Sequence, residues 1–348
     1  MSLFRKKAPK RASDPAAAIA AFWQWWASSA ADIAAAFPAG RLPEYAGDVR
    51  RRVHAIDPGL AWEFGPGVNS QYQLTVTAEG DAGLRRVARR WLRAAPPADA
   101  VWSFHDMRQP SGLDAYLDIG DAKLALKDVR VAVTRRGFGL DVAVHHRLFA
   151  RLPEQAQRQI AFLCLDAALG EEAVELWVDE ITIATREPRD SRPLGDLRGL
   201  LEQVIAEAMP DGEMGWSLAH GDGPRGSLLV TCLNRLSSVQ APDWDQHVVV
   251  TVPFLDVIEA GWAGEGSFNA LRAFEEHLSG IVRGSGHLVA TETSGGVQTL
   301  HYYVDSTTPA AGQLEAATAG WDQGLVTVTT QLDPSWDGVR AYRNLSQS

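Results

Sequence analysis

Cysteine and lysine are scarce in this chain of 348 residues: there are two cysteines, and five of the 33 basic residues are lysines. Two thiols cannot build a disulfide framework. Cys164 and Cys232 each sit in an apolar run, Phe162 to Leu165 and Leu229 to Leu233, which predicts buried free thiols and a reducing, cytoplasmic location. There is no Cys-x-x-Cys pair, and none of the nine histidines has helical zinc-protease spacing, so the familiar zinc motifs are excluded. The sequence contains no Walker A loop and no Gly-x-Ser-x-Gly elbow. One run, Gly221-Asp222-Gly223-Pro224-Arg225-Gly226, has phosphate-cradle spacing, but it joins strand to strand. Such cradles need a helix N-terminus, so it reads as a hairpin loop. No catalytic residue, metal ligand or cofactor is indicated.

The charge that is present is mostly negative. The formal net charge is −10, and Arg5, Lys6, Lys7, Lys10 and Arg11 put five positive charges in the first eleven residues, leaving −15 for the rest. Residues 1–14 read as a basic flexible tail. A body that acidic repels phosphate backbones, so a nucleic-acid partner is not expected. Asp14 followed by Pro15 is a helix start. Ile19, Phe22, Trp23, Trp26, Ala30, Ile33 and Phe37 then recur at helical spacing, which predicts an amphipathic docking helix. Membrane attachment through residues 1–37 is the alternative, disfavoured by Gln24, Ser28, Ser29 and Asp32 and by reliance on alanine. Trp23, Trp25 and Trp26 cannot all face one core, which marks Trp25 for an interdomain or partner contact.

Apolar periodicity places helices over 15–36, 43–56, 81–95, 153–169, 194–208, 267–281 and 309–320. Thirteen strand-like runs lie between them, including 173–186, 213–220, 226–234, 247–254, 286–293, 297–304 and 324–332. Arg135-Arg136-Gly137, the Gly221–Gly226 run and Ser294-Gly295-Gly296 predict antiparallel hairpins. The fold class is therefore α+β, built from antiparallel sheets with helices on one face. Length predicts two domains. The proline-bracketed segment 188–193 sets the boundary, giving an N-terminal domain over 15–190 and a C-terminal one over 191–348. A hairpin, helix, strand order recurs at 60–105, 124–186 and 286–332. The last is preceded by a strand and a helix, making β-α-β-β-α-β, the ferredoxin-like order, over about 244–343.

In that C-terminal part, alternation puts Leu300, Tyr302 and Val304 on the helix-covered side of the sheet and Thr299, His301 and Tyr303 on the other, with Thr291, Thr293, Thr327 and Thr329 beside them. Phe274-Glu275-Glu276, the strand Val289 to Thr293, the strand Tyr302-Tyr303-Val304 and the ending Leu332-Asp333-Pro334-Ser335-Trp336 with Tyr342 beyond resemble the bacterial domain-of-unknown-function family six-nine-five. That family is similar in turn to the regulator of ribonuclease activity B family, small ferredoxin-like proteins that act by binding an enzyme. The resemblance implies the plait fold and a binding role. It implies no catalytic residues.

The candidate partner-binding residues are Thr299, His301, Tyr303, Trp336 and Tyr342 on the open sheet face. Arg85, Arg89 and Arg93 form a second, electrostatic site on a helix that also carries Arg86 and Arg90. The adjacent His145 and His146 point to opposite faces of a strand and read as structural. The leading expectation is a non-enzymatic protein-binding or regulatory module with an unidentified protein partner. The alternative is a hydrolase using carboxylates and histidine in an interdomain cleft.

Overall fold

The computed structural model describes residues 15–119 and 122–343; the expected basic tail, 1–14, lies outside them. The chain divides into two compact units between Arg108 and Gln109.

The first unit contains α1 (Pro15–Ala36), α2 (Pro43–Ile56), the hairpin β1 (Ala61–Pro66) and β2 (Tyr72–Thr77), α3 (Ala82–Arg93) and β3 (Trp102–His105). Asp81 starts α3 by accepting a 2.8 Å hydrogen bond from the Gly83 amide, which satisfies a donor the helix cannot. Strand β3 lies beside β2 and runs parallel to it, so this sheet is mixed rather than purely antiparallel. The apolar face of α1 buries Ile19, Phe22, Trp26 and Ile33 against Val53, Leu74 and Trp91. Trp23 donates from its indole to the Trp91 carbonyl at 2.9 Å. Trp25 meets the Arg52 guanidinium, 4.4 Å from its ring, so its contact lies within its own unit. Among the described residues no helix is long and apolar enough to cross a membrane.

The second unit holds two larger sheets. A small hairpin, β4 (Tyr116–Ile119) and β5 (Ala122–Ala125), precedes β6 (Arg130–Arg136), β7 (Gly139–His145), α4 (Glu154–Leu169), α5 (Glu171–Trp177), β8 (Val178–Ala184), β9 (Arg192–Pro193) and α6 (Asp196–Ala208). The sheet order is β8-β7-β6-β9, with β7 and β8 parallel. The strand expected over 173–186 begins instead as helix: Gly170, at φ +89°, breaks α4, and Val174 and Trp177 are buried at helical spacing.

The expected boundary at 188–193 is corrected. Arg192 and Pro193 pair with β6, and α6 packs Leu197, Leu201 and Val204 into the core of this sheet, so a cut there would divide one core. Arg235, from the next sheet, also donates to the Leu176 carbonyl at 2.8 Å and pairs with Asp179 at 2.7 Å.

The last sheet comprises β10 (Trp216–Gly223), β11 (Gly226–Leu233), β12 (Gln246–Pro253), β13 (Gly286–Ser294), β14 (Val297–Val304) and β15 (Thr327–Leu332), with α7 (Glu265–Ile281) between β12 and β13 and α8 (Ala310–Ala317) between β14 and β15. Its order is β10-β11-β13-β14-β12-β15, antiparallel throughout. Helices α7 and α8 bury Leu271, Phe274, Leu278 and Leu314 against Val248, Val250, Leu300 and Tyr302. The hairpin β10–β11 widens the sheet beyond that cover.

Candidate functional site

Alternation puts His301 and Tyr303 opposite the helices, as expected, but the face is not open. After β15, the turn Asp333 to Trp336 folds the chain back over it. Trp336 adopts a left-handed backbone, φ 55°. Its ring stacks on Tyr303 with centroids 4.6 Å apart, and its indole donates to the Trp244 carbonyl at 2.9 Å. Tyr303 is 0% exposed, Trp336 1% and His301 6%. These three are therefore core residues rather than a partner surface; Thr299 and Tyr342 are half-buried. The chain's own C-terminal segment supplies the cover.

Beneath it lies a directed hydrogen-bond chain. A bulge in β13 at Val289, between Leu288 and Ala290, shifts the alternation by one residue. Thr291 and Thr293 consequently face α7, correcting the expectation that they flank His301, and Glu292 takes their place. His301 Nε2 lies 3.2 Å from Glu292 Oε1, and its Nδ1 lies 3.1 Å from His247 Nε2. A carboxylate only accepts, so His301 carries its proton on Nε2, and Nδ1 accepts from His247. The Tyr342 hydroxyl also donates to Glu292. Burial, with the neighbouring His301 acting in the same direction, holds His247 down to about 4 although Asp333 opposes it.

Tyr303 donates to Asp333 at 2.6 Å, and burial with this bond pushes its phenol well above its ordinary value. Burial pulls Asp333 upward, but Tyr303 and the Gly338 and Asp337 amides outweigh it and hold the carboxyl below its ordinary value. Glycine is required at 338 because a Cβ there would collide with the His247 ring. The pairing of Glu292 with His301 has the chemical types that a hydrolase needs; His301 is buried with the Tyr342 ring 5.8 Å from its own, and the Glu292 side chain is 30% exposed.

The arginine stripe is also partly consumed. Arg85 is 7% exposed and donates to the Gly80 carbonyl. Arg89 pairs with the buried Asp106. Arg93 is exposed. His145 donates to the Ala184 carbonyl at 2.8 Å, and His146 accepts from the Leu148 amide. Cys164 is buried in the core, and burial pushes its thiol up to about 12. Among the described residues no three histidine, cysteine or acidic side chains form a cluster able to hold a metal.

The feature sequence reasoning missed lies on the other face. Because α7 covers only part of the six-stranded sheet, a groove of about 350 Å³ remains between the helix and β11, β13 and β14. Its floor is Leu229, Thr231, Thr291, Thr293 and Gln298; its wall is Phe268, Leu271, Arg272 and Glu275; Ile258 and Trp262 close one end. The closing loop is held in place. Gly296 donates to the Gly261 carbonyl at 3.1 Å, and Ile258 to that of Trp262 at 2.9 Å. Gly261 has φ +80°, and a Cβ there would press on the Gly295 backbone.

Thr231 and Thr291 share a 2.7 Å hydrogen bond across the floor. The Trp262 indole N–H and Gln298 Oε1 are buried without hydrogen-bond partners, an uncommon and costly condition. Burial raises the Glu275 carboxyl above its ordinary value, with Glu276 adding to the effect. Trp216 and Leu218, 44% and 61% exposed, are exposed on the neighbouring β10. The bulge is what turns the two threonines into this groove, and no sequence motif marks it.

Comparison with protein-family models, with curated proteins and with solved structures finds no match for the chain.

Proposed function

We propose that the protein is a non-enzymatic binding module of regulatory type, and that its ligand occupies the groove between α7 and β11, β13 and β14. One observation carries this reading: the groove is apolar, is closed at one end by a hydrogen-bonded loop and has the half-buried Glu275 side chain and two threonine hydroxyls in its lining. That combination characterises small-ligand sites. The part from β12 to β15 reads as a ferredoxin-like plait, supported by its β-α-β-β-α-β order and its strand order β13-β14-β12-β15. This is the fold implied by the resemblance to family six-nine-five. A protein partner would meet the exposed Trp216 and Leu218 beside the groove rather than the covered His301 face.

The test is binding of the apolar dye anilinonaphthalene sulfonate. One site per chain is expected, weakened about tenfold or more by Thr231→Met, which fills the floor, and unchanged by Tyr303→Phe. Equal binding by Thr231→Met and wild type would overturn the assignment.

A further inference from the structure

Resting on the groove as the binding site, we infer that its ligand is a small primary amine with an apolar body, its ammonium group held by Glu275. One group lining the groove only accepts, the Glu275 carboxylate; the threonine hydroxyls and the Gln298 amide can donate as well as accept, and the Trp262 indole at the closed end donates. Arg272 is the other charged residue of the wall. Its side chain is 69% exposed and pairs at 3.3 Å with Glu276. Among the described residues no hydrogen bond or ion pair engages the Glu275 carboxyl. A carboxylate half-buried among apolar side chains is held at a cost that an ammonium group would relieve, because their attraction is stronger away from water.

The polar end and the apolar body are separated along the groove. The Tyr302 hydroxyl donates to the Glu275 carbonyl at 3.4 Å, which sets the Glu275 turn of α7 near the Tyr302 end of β14. Leu271 lies one helical turn back and Phe268 a further turn, toward Ile258 and Trp262 at the closed end. A volume of about 350 Å³ accommodates an aryl or alkyl group joined to an amine by a short chain. An anion of the same shape would place like charge beside Glu275 and is disfavoured relative to the amine by the same electrostatics.

The probes are phenethylamine, its uncharged counterpart phenethyl alcohol and the acid hydrocinnamate, titrated calorimetrically into wild type, Glu275→Gln and Thr231→Met. Phenethylamine is expected to bind wild type about tenfold tighter than the alcohol, and hydrocinnamate weakest. Glu275→Gln, an isosteric change on a helix surface, should bring amine and alcohol within about twofold of each other. Thr231→Met should weaken both together. If the alcohol binds wild type as tightly as the amine and Thr231→Met weakens both, the amine assignment fails and the groove reading stands. If Thr231→Met weakens neither, both fail. If Glu275→Gln keeps the full amine preference, the role of Glu275 is overturned.

Discussion

Glu292 lies 3.2 Å from His301 because of one extra residue, Val289, in strand β13. Simple alternation would have pointed Glu292 toward α7. The bulge turns it to the opposite face, where it orients His301, which in turn accepts from His247. The same shift sends Thr291 and Thr293 into the groove, so a single backbone irregularity sets the polar content of both faces.

Because burial holds His247 down to about 4, the unfolded chain binds a proton there that the native protein does not between that value and about 6.5. Stability should therefore rise with pH across this window and fall as pH drops through it, by on the order of 2 kcal/mol from this residue. Urea unfolding of wild type and His247→Gln at several pH values checks it: the variant's curve should be flatter. Parallel curves would argue against a neutral buried His247.

Glu275 carries the opposite sign. Burial raises its native value, so between the ordinary and raised values the native state holds the extra proton. Its contribution favours folding at low pH and is lost as pH rises through the native value. Glu275→Gln should raise the urea midpoint at neutral pH and leave it nearly unchanged in acid. An equal gain at both would point to a cause other than charge burial.

Trp336→Ala removes the ring stacked on Tyr303, leaves a cavity and frees the Trp244 carbonyl. A loss of about 3–5 kcal/mol is expected, together with faster amide exchange over 289–292, since the cover of that face is gone. Unchanged exchange there would mean that the C-terminal turn is not what shields His301.

Expression of 109–348 should yield a cooperatively unfolding protein, whereas 191–348 should be aggregation-prone. Cutting at 190 strips α6 of the core that buries Leu197, Leu201 and Val204 and removes Asp179 from Arg235. A single sharp thermal transition for 191–348 would restore the boundary at the prolines.

Much of this architecture was legible beforehand. Helices α1 and α2 fall on the expected residues because their apolar spacing and entry prolines are local signals, and three hairpin turns were marked by glycine. Helix α5 was missed because Val174, Leu176 and Val178 alternate like a strand, and only packing selects the helical spacing of Val174 and Trp177. The proline segment misled for a related reason: Pro188 to Pro193 has linker composition, but Arg192 and Pro193 complete the edge of a sheet.

For the candidate site, local information ran out sooner. Alternation within β14 assigned Leu300, Tyr302 and Val304 to one face and His301 and Tyr303 to the other, because a strand's period of two is a property of its own backbone. Whether that second face was open depended on residues over thirty positions away, and the turn at Trp336 closed it. The bulge at Val289 exists only relative to the strands paired with β13, and the groove only because two further strands extend past α7. The sequence by itself determined the elements and their sidedness, which arise from contacts near in the chain. Tertiary structure alone decided what covers each face and which carboxylate meets the histidines, since those follow from pairings between distant segments.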